Sequence, residues 1–438
     1  MNFKYPLDPC IKVQMNMSFQ NEEVKVVIET MFRTQYGKMV SYLTSKFGLG
    51  FLEDAEDIVQ ETLFTAFQKW AFVGIPENPE AWIFVVARNK AYNLVKKEQK
   101  SSDLDVEKLV GEFSENEDRI FLNREIEDNM LRIILVCCNL KLPIESKVVF
   151  ILSCLCGFSR KELSQALLVQ EETIKKRLFR AKRAIRSQNL SLTTADEKTL
   201  KNQAGAICSI LYILFNQGYN SSSRKNVLNK DICFEAMRLT KLLLNHFPKD
   251  PKIHALFALM CLHSARFMSR MDENGAIVLF RDQDRNLWNT ELIKSGIHHL
   301  ARASSGEVIT AYHFEAAIAA EHCTANNLGE TNWAFVLQQY QRLYQLKPTP
   351  IILLNMAIVK SMMGRTEEAI NELLLLQDNP QLNTNYLLYA SLGELLGLQK
   401  KYEQAIAAFD HAMELTRSFQ ERMLLGKKKT HIEFLKKS

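Results

Sequence analysis

The amino-acid sequence predicts an all-α protein with more than one helical domain. Apolar residues recur at the spacing of amphipathic helices through almost the whole chain, and no convincing run alternates in the manner of a strand. The 438 residues include only 16 glycines and 10 prolines, while 47% are hydrophobic and 24% are charged. This composition argues against a disordered chain and against a turn-rich all-β protein. Because the length is roughly three times that of a common domain, we expect two or three separate cores.

Charge is distributed in blocks, and the blocks predict the domain boundaries. Residues 88–100 carry a net charge of +4, residues 101–118 of −6 and residues 160–186 of +6, although the whole chain has only +5. Two basic segments separated by an acidic one fit a protein that contacts DNA at two places. The predicted order is a helical domain over 21–100, an acidic linker over 101–124, a basic helical domain over 125–187, a polar stretch over 187–199 and a helical part over 200–438.

The first domain contains two helices that predict different surfaces. A helix that begins near Asp54 buries an apolar stripe from Ala55 to Trp70 and has an acidic outer face, which by itself can simply complement the helix dipole. A loop is expected over 71–79, and a second helix starts at Pro79 with an apolar first half and a cationic second half. The acidic face consists of Asp54, Asp57, Gln60 and Glu61.

Residues 158–187 predict a helix–turn–helix. Ser159 and Glu162 have the spacing of a capping box, a break follows near 168–170, and a longer helix runs from Glu171 to about Ser187. Its apolar stripe is Ile174, Leu178, Ala181 and Ile185. The second helix of such a motif enters the major groove, where cations reach guanine edges and phosphates and an aromatic ring can meet a thymine methyl. A solvated basic helix without a nucleic-acid partner is the alternative. The remaining circumference carries Lys175, Lys176, Arg177, Phe179, Arg180, Lys182, Arg183 and Arg186.

These strings resemble the extracytoplasmic-function (ECF) σ factors. Residues 173–185, which read TIKKRLFRAKRAI, resemble the recognition helix of σ region 4, although Lys176 stands where the family commonly has serine and the preceding turn lacks the usual glycine. Residues 54–61 (DAEDIVQE) resemble region 2.2, and residues 78–89, from NPEAW to ARN, resemble regions 2.3–2.4. The matches occur in the family's order on either side of the acidic linker, and together they cover residues 21–187.

The resemblance implies a transcription initiation factor that has no cofactor, no metal and no enzymatic activity of its own, because RNA polymerase does the chemistry. Residues 21–100 would be region 2, whose acidic face binds the β′ clamp helices of the polymerase core. The loop over 72–78 would capture a flipped base of the −10 element, and region 4 over 125–187 would read the −35 element of promoter DNA. The residues implied at the −10 element are Arg88, Asn89, Asn93, Lys96 and Lys97, and those at the −35 element are Lys175, Lys176, Arg177, Phe179, Arg180 and Arg183.

The C-terminal half shows a weak internal repeat near 351–419. Ala369 and Ala405 are 36 residues apart, and Ala357 and Gly393 occupy matching positions before them. Small residues at such positions let paired helices approach closely, as in tetratricopeptide (TPR) repeats. The half resembles the long extension (DUF6596-type) of one ECF subgroup, which implies a TPR-like domain that binds a protein regulator. The polar segment 281–288 is either a structural turn or a contact surface.

The other chemistry-bearing residues predict no further site. Nine cysteines in a long chain are typical of reduced, buried thiols, and neither they nor the histidines have zinc-ligand spacing. No apolar run approaches the ~20 residues of a membrane span, and the N-terminal residues lack the pattern of a signal peptide. We therefore expect a cytoplasmic protein without a membrane segment.

Two other functions stay open from the sequence. One is a helix–turn–helix regulator with a helical sensor domain, which binds duplex DNA without polymerase. The other is a TPR adaptor protein whose basic helices are only solvated surfaces.

Overall fold

The fold comes from a computed structural model that describes residues 22–99, 118–167, 169–187, 197–219, 230–273, 277–416 and 418–437. The all-α prediction is confirmed: the described residues form helices, and their only extended pairing is a single bridge between Met271 and Ile277. The contacts divide the chain into two units, Met1–Ile213 and Leu214–Ser438. Residues 101–117 of the predicted linker (101–124) and residues 188–196 of the predicted polar stretch (187–199) lie outside the described residues.

The first unit is built around its first helix. The helices of the unit are α1 (Glu22–Phe47), α2 (Leu52–Val73), α3 (Pro79–Gln99), α4 (Asp118–Asn139), α5 (Ile144–Phe150), α6 (Arg160–Leu167) and α7 (Glu171–Ser187). Helix α1 packs against α2, α3 and α4 and against the π-helical turn Ile151–Leu155. Met39 and Leu43 of α1 are fully buried, and so is the predicted stripe of α2 from Ala55 to Trp70.

Two predicted boundaries of this unit were wrong. Helix α2 continues to Val73, into the predicted loop over 71–79, and ends at Gly74, whose φ of 89° only glycine adopts without strain. Helix α4 begins at Asp118, inside the predicted linker over 101–124. In both places helix-compatible residues follow one another without a proline. Composition alone therefore does not locate the boundary of the helix.

The helix–turn–helix was predicted correctly from its capping residues. The backbone N–H of Ser159 donates to Glu162 Oε2 at 2.9 Å, and the N–H of Glu162 donates to Ser159 Oγ at 3.2 Å. This reciprocal pair satisfies two amides at the start of α6 that have no acceptor within the helix. The turn is closed by Ser164, whose hydroxyl donates to the carbonyl of Val169 at 2.7 Å.

The second unit consists of helices that pack against their neighbours in the chain. Its helices, with α8 crossing the unit boundary, are α8 (Glu197–Tyr219), α9 (Lys230–His246), α10 (Pro251–Ser264), α11 (Thr290–Ala303), α12 (Ala311–Thr324), α13 (Trp333–Leu346), α14 (Pro350–Met362), α15 (Thr366–Leu376), α16 (Tyr386–Leu398), α17 (Tyr402–Leu415) and α18 (Phe419–Lys437). Helix α10 packs against α11 and α12, α14 packs against α15, and α17 packs against both α16 and α18.

The small residues of the weak repeat lie at helix–helix contacts. Ala357, Ala369 and Ala405 are completely buried, and a Cβ at Gly393 would approach the ring of Phe409 to 3.1 Å. Their placement explains why the sequence repeats small side chains there, and the TPR-like assignment itself stays a prediction. The polar segment 281–288 forms parts of two short 3₁₀ turns, Phe280–Asp282 and Arg285–Leu287.

The cysteines are unpaired thiols wherever they are described. Burial raises the pKa of Cys138 to about 12 and that of Cys261 to about 11, so both stay protonated at neutral pH. Cys10 lies outside the described residues. Within the described ranges, no set of three His, Cys, Asp or Glu side chains is placed to hold a metal ion. No described helix is long and apolar enough to cross a membrane.

We expect Gly37→Ala to destabilise the first unit by about 2–4 kcal/mol, because a methyl group must displace packed backbone. A Cβ at Gly37 would lie 1.8 Å from the carbonyl oxygen of Leu155. Chemical denaturation followed by circular dichroism measures the change. Gly50→Ala is the control, because nothing lies within 4 Å of a Cβ there; equal losses in the two variants would contradict the close approach of α1 to the π-helical turn.

Candidate nucleic-acid interface

Helix α7 presents a basic face with an exposed aromatic ring. Ile174, Ala181 and Ile185 are buried, whereas Phe179 keeps 64% of its surface in solvent. Such exposure is costly in water unless the ring contacts a partner, since burial of a phenyl ring is worth about 2–3 kcal/mol. Arg177 is half-buried, and the other side chains of the predicted set are exposed, namely Lys175, Lys176, Phe179, Arg180 and Arg183.

Most cations on this face are available to an outside anion. Lys175 lies 4.0 Å from Glu172, one turn before it, in an exposed pair that contributes little stability. In the described part of the chain, Lys176, Arg180 and Arg183 form no ion pair. The face therefore has unneutralised positive charge, which is the electrostatic requirement for holding phosphates.

Two other cations of the helix, for which the sequence predicted no DNA contact, bind acidic residues of α2. Lys182 Nζ binds Glu56 Oε2 of α2, and Arg186 binds Glu53 of the same helix. Glu56 keeps only 6% of its surface exposed, so the pair with Lys182 is largely shielded from water. Burial alone would lower the pKa of Lys182, but the Glu56 carboxylate raises it, and the ammonium stays charged. Lys182 and Arg186 thus attach α7 to α2.

Sequence reasoning missed Glu56, although a signal was present. Glu56 precedes the buried residues Val59 and Leu63 by three and seven positions, so it falls on the inward stripe of α2. A carboxylate on an apolar stripe requires a buried cation or several hydrogen bonds. Which cation meets it depends on a residue 126 positions away, and helical periodicity carries no information over that distance.

The four residues of the predicted acidic face all belong to α2. Asp57 and Glu61 are exposed, and Asp54 and Gln60 are half-buried. Partial burial, reinforced by the neighbouring Glu56 carboxylate, raises the pKa of Asp57. Glu61 accepts a 3.1 Å bond from Lys90 of α3. The acidic face of α2 therefore touches the cationic helix α3 at one point.

The cationic half of α3 faces solvent. Asn89, Asn93, Lys96 and Lys97 are exposed, and Arg88 is half-buried with a bonding partner. At the end of α2, Phe72 and Val73 keep 87% and 86% of their surfaces exposed. They precede the apolar first half of α3 in the chain, whereas Lys90 of its cationic half bonds to Glu61, about three turns earlier in α2.

A cleft of about 350 Å³ separates α2 from the helix–turn–helix. Its walls bring together two predicted sets, Asp57 and Gln60 from the acidic face and Lys175 and Phe179 from the basic face. The predicted residues of α3 do not line it. The acidic and basic surfaces therefore face each other in this unit, and α3 forms a separate surface.

Three family models match the chain. "Sigma-70 region 2" matches residues 32–101 and "Sigma-70, region 4" matches residues 132–185, which correspond to helices α1–α3 and α4–α7. A "Family of unknown function (DUF6596)" matches residues 203–304. The chain is also 30% identical over 385 residues to "Uncharacterized protein R00370" of Rhizobium meliloti (strain 1021), with 87% of this chain and 90% of that protein covered.

We expect Glu56→Gln to lower the free energy of unfolding by about 2–3 kcal/mol, because Lys182 would lose its partner inside a shielded contact. Glu61→Gln removes the same charge from an exposed pair with Lys90. We therefore expect it to lower the free energy of unfolding by less than about 1 kcal/mol. Urea unfolding of both variants measures the difference. A small and equal loss in both would show that the contact between α2 and α7 is not shielded in solution.

Proposed function

The chain belongs to the σ70 factors of the extracytoplasmic-function type that carry a C-terminal extension, and from this premise we propose that it joins the RNA polymerase core and directs initiation at specific promoters. The observation that carries the proposal is the exposed basic face of α7 on the second helix of a helix–turn–helix. That helix lies within the stretch matched by σ region 4. The polymerase supplies the catalysis, and this chain supplies binding and orientation.

Region 4 would read the −35 element through α7. A helix of this kind inserts its exposed face into the major groove, with guanidinium and ammonium groups on guanine edges and phosphates. Arg180 and Arg183 are free of ion pairs among the described residues, so no intramolecular bond has to break before they bind. Phe179, which precedes Arg180 in the chain, offers an apolar contact to a thymine methyl.

Region 2 would hold the −10 element through α3. Exposed Asn93, Lys96 and Lys97 follow one another along about one turn, which suits a nucleic-acid backbone that tracks the helix. Phe72 and Val73 at the end of α2 would form one wall for a flipped base. Apolar and aromatic stacking on an unpaired base is worth about 1–3 kcal/mol.

The acidic face of α2 would bind the β′ clamp helices of the polymerase. Asp57 and Glu61 are its exposed carboxylates, with Asp54 and Gln60 at the margin. An acidic patch on one partner speeds association with a basic patch on the other and selects against like-charged surfaces. The C-terminal unit would bind a protein regulator through its helix pairs.

We expect Lys175→Ala combined with Arg180→Ala to reduce run-off transcription from a −35-dependent promoter by roughly a hundredfold, since each base or phosphate contact is worth about 1–3 kcal/mol. Binding to the polymerase core should be unchanged, because neither residue lies on the acidic face. Multiple-round transcription with purified core enzyme and a fluorescence binding assay measure the two effects.

Lys401→Ala combined with Lys427→Ala is the matched control for that experiment. Both lysines are exposed in the second unit and form no ion pair in the described structure. The control should leave transcription unchanged. Promoter selectivity that survives in the α7 variant would contradict the −35 assignment, and duplex binding without any stimulation of polymerase would favour the helix–turn–helix regulator instead.

We expect Asp57→Arg combined with Glu61→Arg to weaken binding to the polymerase core at least about tenfold, because two favourable charges become repulsive. Fluorescence anisotropy of the labelled chain titrated with core enzyme measures the affinity. Glu367→Arg combined with Glu414→Arg makes the same change in charge on the second unit, where both carboxylates are exposed. Equal affinities of the two double variants would remove the acidic face of α2 from the proposed interface.

A further inference from the structure

A pair of arginines in the second unit shares one pair of aromatic rings. The rings of Phe280 and Trp288 stack with their centres 6.1 Å apart. The guanidinium carbon of Arg266 lies 4.2 Å from the centre of the Phe280 ring, and that of Arg285 lies 4.4 Å from the Trp288 ring. Each guanidinium is also within 6 Å of the other ring. Both guanidinium groups therefore lie close to the same pair of aromatic rings.

A third arginine adds to this charge. Arg270 lies 3.9 Å over the ring of Tyr219, and its positive charge lowers the pKa of Arg266 after the larger effect of burial. We call Arg266, Arg270 and Arg285 the arginine cluster. Two of its residues follow α10 directly in the chain, and the third comes from the turn before α11.

No carboxylate forms an ion pair with the arginine cluster in the part of the chain that the structure describes, although the charge of Glu330 partly offsets the lowering of the pKa of Arg285 by burial. The nearby acidic residues have other partners: Asp282 lies 3.8 Å from Arg281, Asp284 accepts from the N–H of Asn286, and Glu330 accepts from two asparagine amides. Aromatic faces offset each guanidinium charge by only about 0.5–2 kcal/mol. An arginine does not lose its proton inside a protein, so the positive charge persists.

The guanidinium groups also keep unused donors. Arg266 donates from Nε and Nη2 to the side-chain oxygen of Gln283 at 3.2 and 3.1 Å. Arg285 donates from Nη1 to the carbonyls of His322 and Ala325 at the end of α12. The remaining nitrogens, Nη1 of Arg266 and Nε and Nη2 of Arg285, have no partner among the described residues.

Buried polar atoms without partners lie near the arginine cluster. The Nε1 of Trp288, the Nδ1 of His263 and the Nδ1 of His322 are all buried and form no hydrogen bond within the described structure. Burial and the neighbouring arginines lower the pKa of His263 to about 3 and that of His322 to about 4, so both rings are neutral at pH 7. Orphaned polar atoms of this kind cost about 1–3 kcal/mol each and point to a missing partner.

We propose that the arginine cluster binds a small anion bearing a phosphate group. The arginines are only partly buried, so an anion can reach them from solvent. A tetrahedral phosphate offers several oxygens to guanidinium forks at once, and its charge matches a site with more than one cation and no ion-paired carboxylate among the described residues. The anion would occupy the unused donors of Arg266 and Arg285. The proposal does not depend on the function proposed for the first unit, because the site lies within the second.

The test is titration of the full-length chain with potassium phosphate at fixed ionic strength, with potassium chloride as the balancing salt. We expect saturable binding in isothermal titration calorimetry and a melting temperature that rises with phosphate, because a ligand of the folded state stabilises it. A parallel titration with adenosine diphosphate distinguishes free phosphate from a phosphorylated small molecule as the preferred source. Absence of saturable binding of both probes would overturn the proposal.

The variants separate a specific site from general attraction to positive charge. Arg285→Gln should raise the dissociation constant about tenfold or more, the usual effect of removing a hydrogen bond from a charged group. Arg285→Lys keeps the charge without the forked guanidinium group. Its dissociation constant should lie between those of the unmodified chain and Arg285→Gln. Arg281→Gln removes an exposed arginine from the neighbouring 3₁₀ turn and should bind like the unmodified chain. Equal weakening by Arg281→Gln and Arg285→Gln would overturn the assignment.

Folding of the variants is checked independently of binding. Arg266→Gln removes the guanidinium nearest to Phe280 and carries a risk of unfolding, so Arg285→Gln is the primary variant. Circular dichroism before each titration establishes that the variant is folded. A direct measurement on the unmodified chain, the broadening of the phosphate ³¹P resonance on addition of protein, needs no variant; a resonance that stays sharp would contradict the proposal.

Discussion

The contact between Glu56 and Lys182 determines how the first unit is organised. A carboxylate that is almost wholly removed from water needs a cation. The cation comes from α7, which follows residues 100–117 in the chain. Arg186 adds a second, more exposed bond to Glu53. Because of these bonds, the basic helix lies beside the acidic face of α2, and the two surfaces with predicted roles share one cleft.

Local rules of sequence account for much of this unit. The apolar stripe of α2, the capping box of α6 and the exposed cations of α7 follow from helical periodicity and capping chemistry, which act over one or two turns. The C-terminal end of α2 and the start of α4 were misplaced because residues 71–73 and 118–124 are compatible with either a loop or a helix. The partner of Glu56 was not predictable, because it depends on how separate helices meet.

The second unit shows the same division between local and long-range information. The small residues Ala357, Ala369 and Ala405 were visible in the sequence because they repeat, and they lie where helices contact. The arginine cluster has no repeat and no motif. Arg266 and Arg285 are 19 positions apart and meet only because Phe280 and Trp288 stack between them. A segment that looked like an ordinary polar turn therefore contributes one arginine of the cluster and both aromatic rings.

The placement of α7 against α2 has a thermodynamic consequence for any duplex that binds the basic face. Lys175 and Phe179 line the cleft and are nevertheless exposed, so a duplex can contact them while Lys182 stays bonded to Glu56. The bond between Lys182 and Glu56 fixes the position of α7 before any duplex arrives. Less orientational freedom is then lost on binding, and a pair that touches no DNA contributes to the affinity.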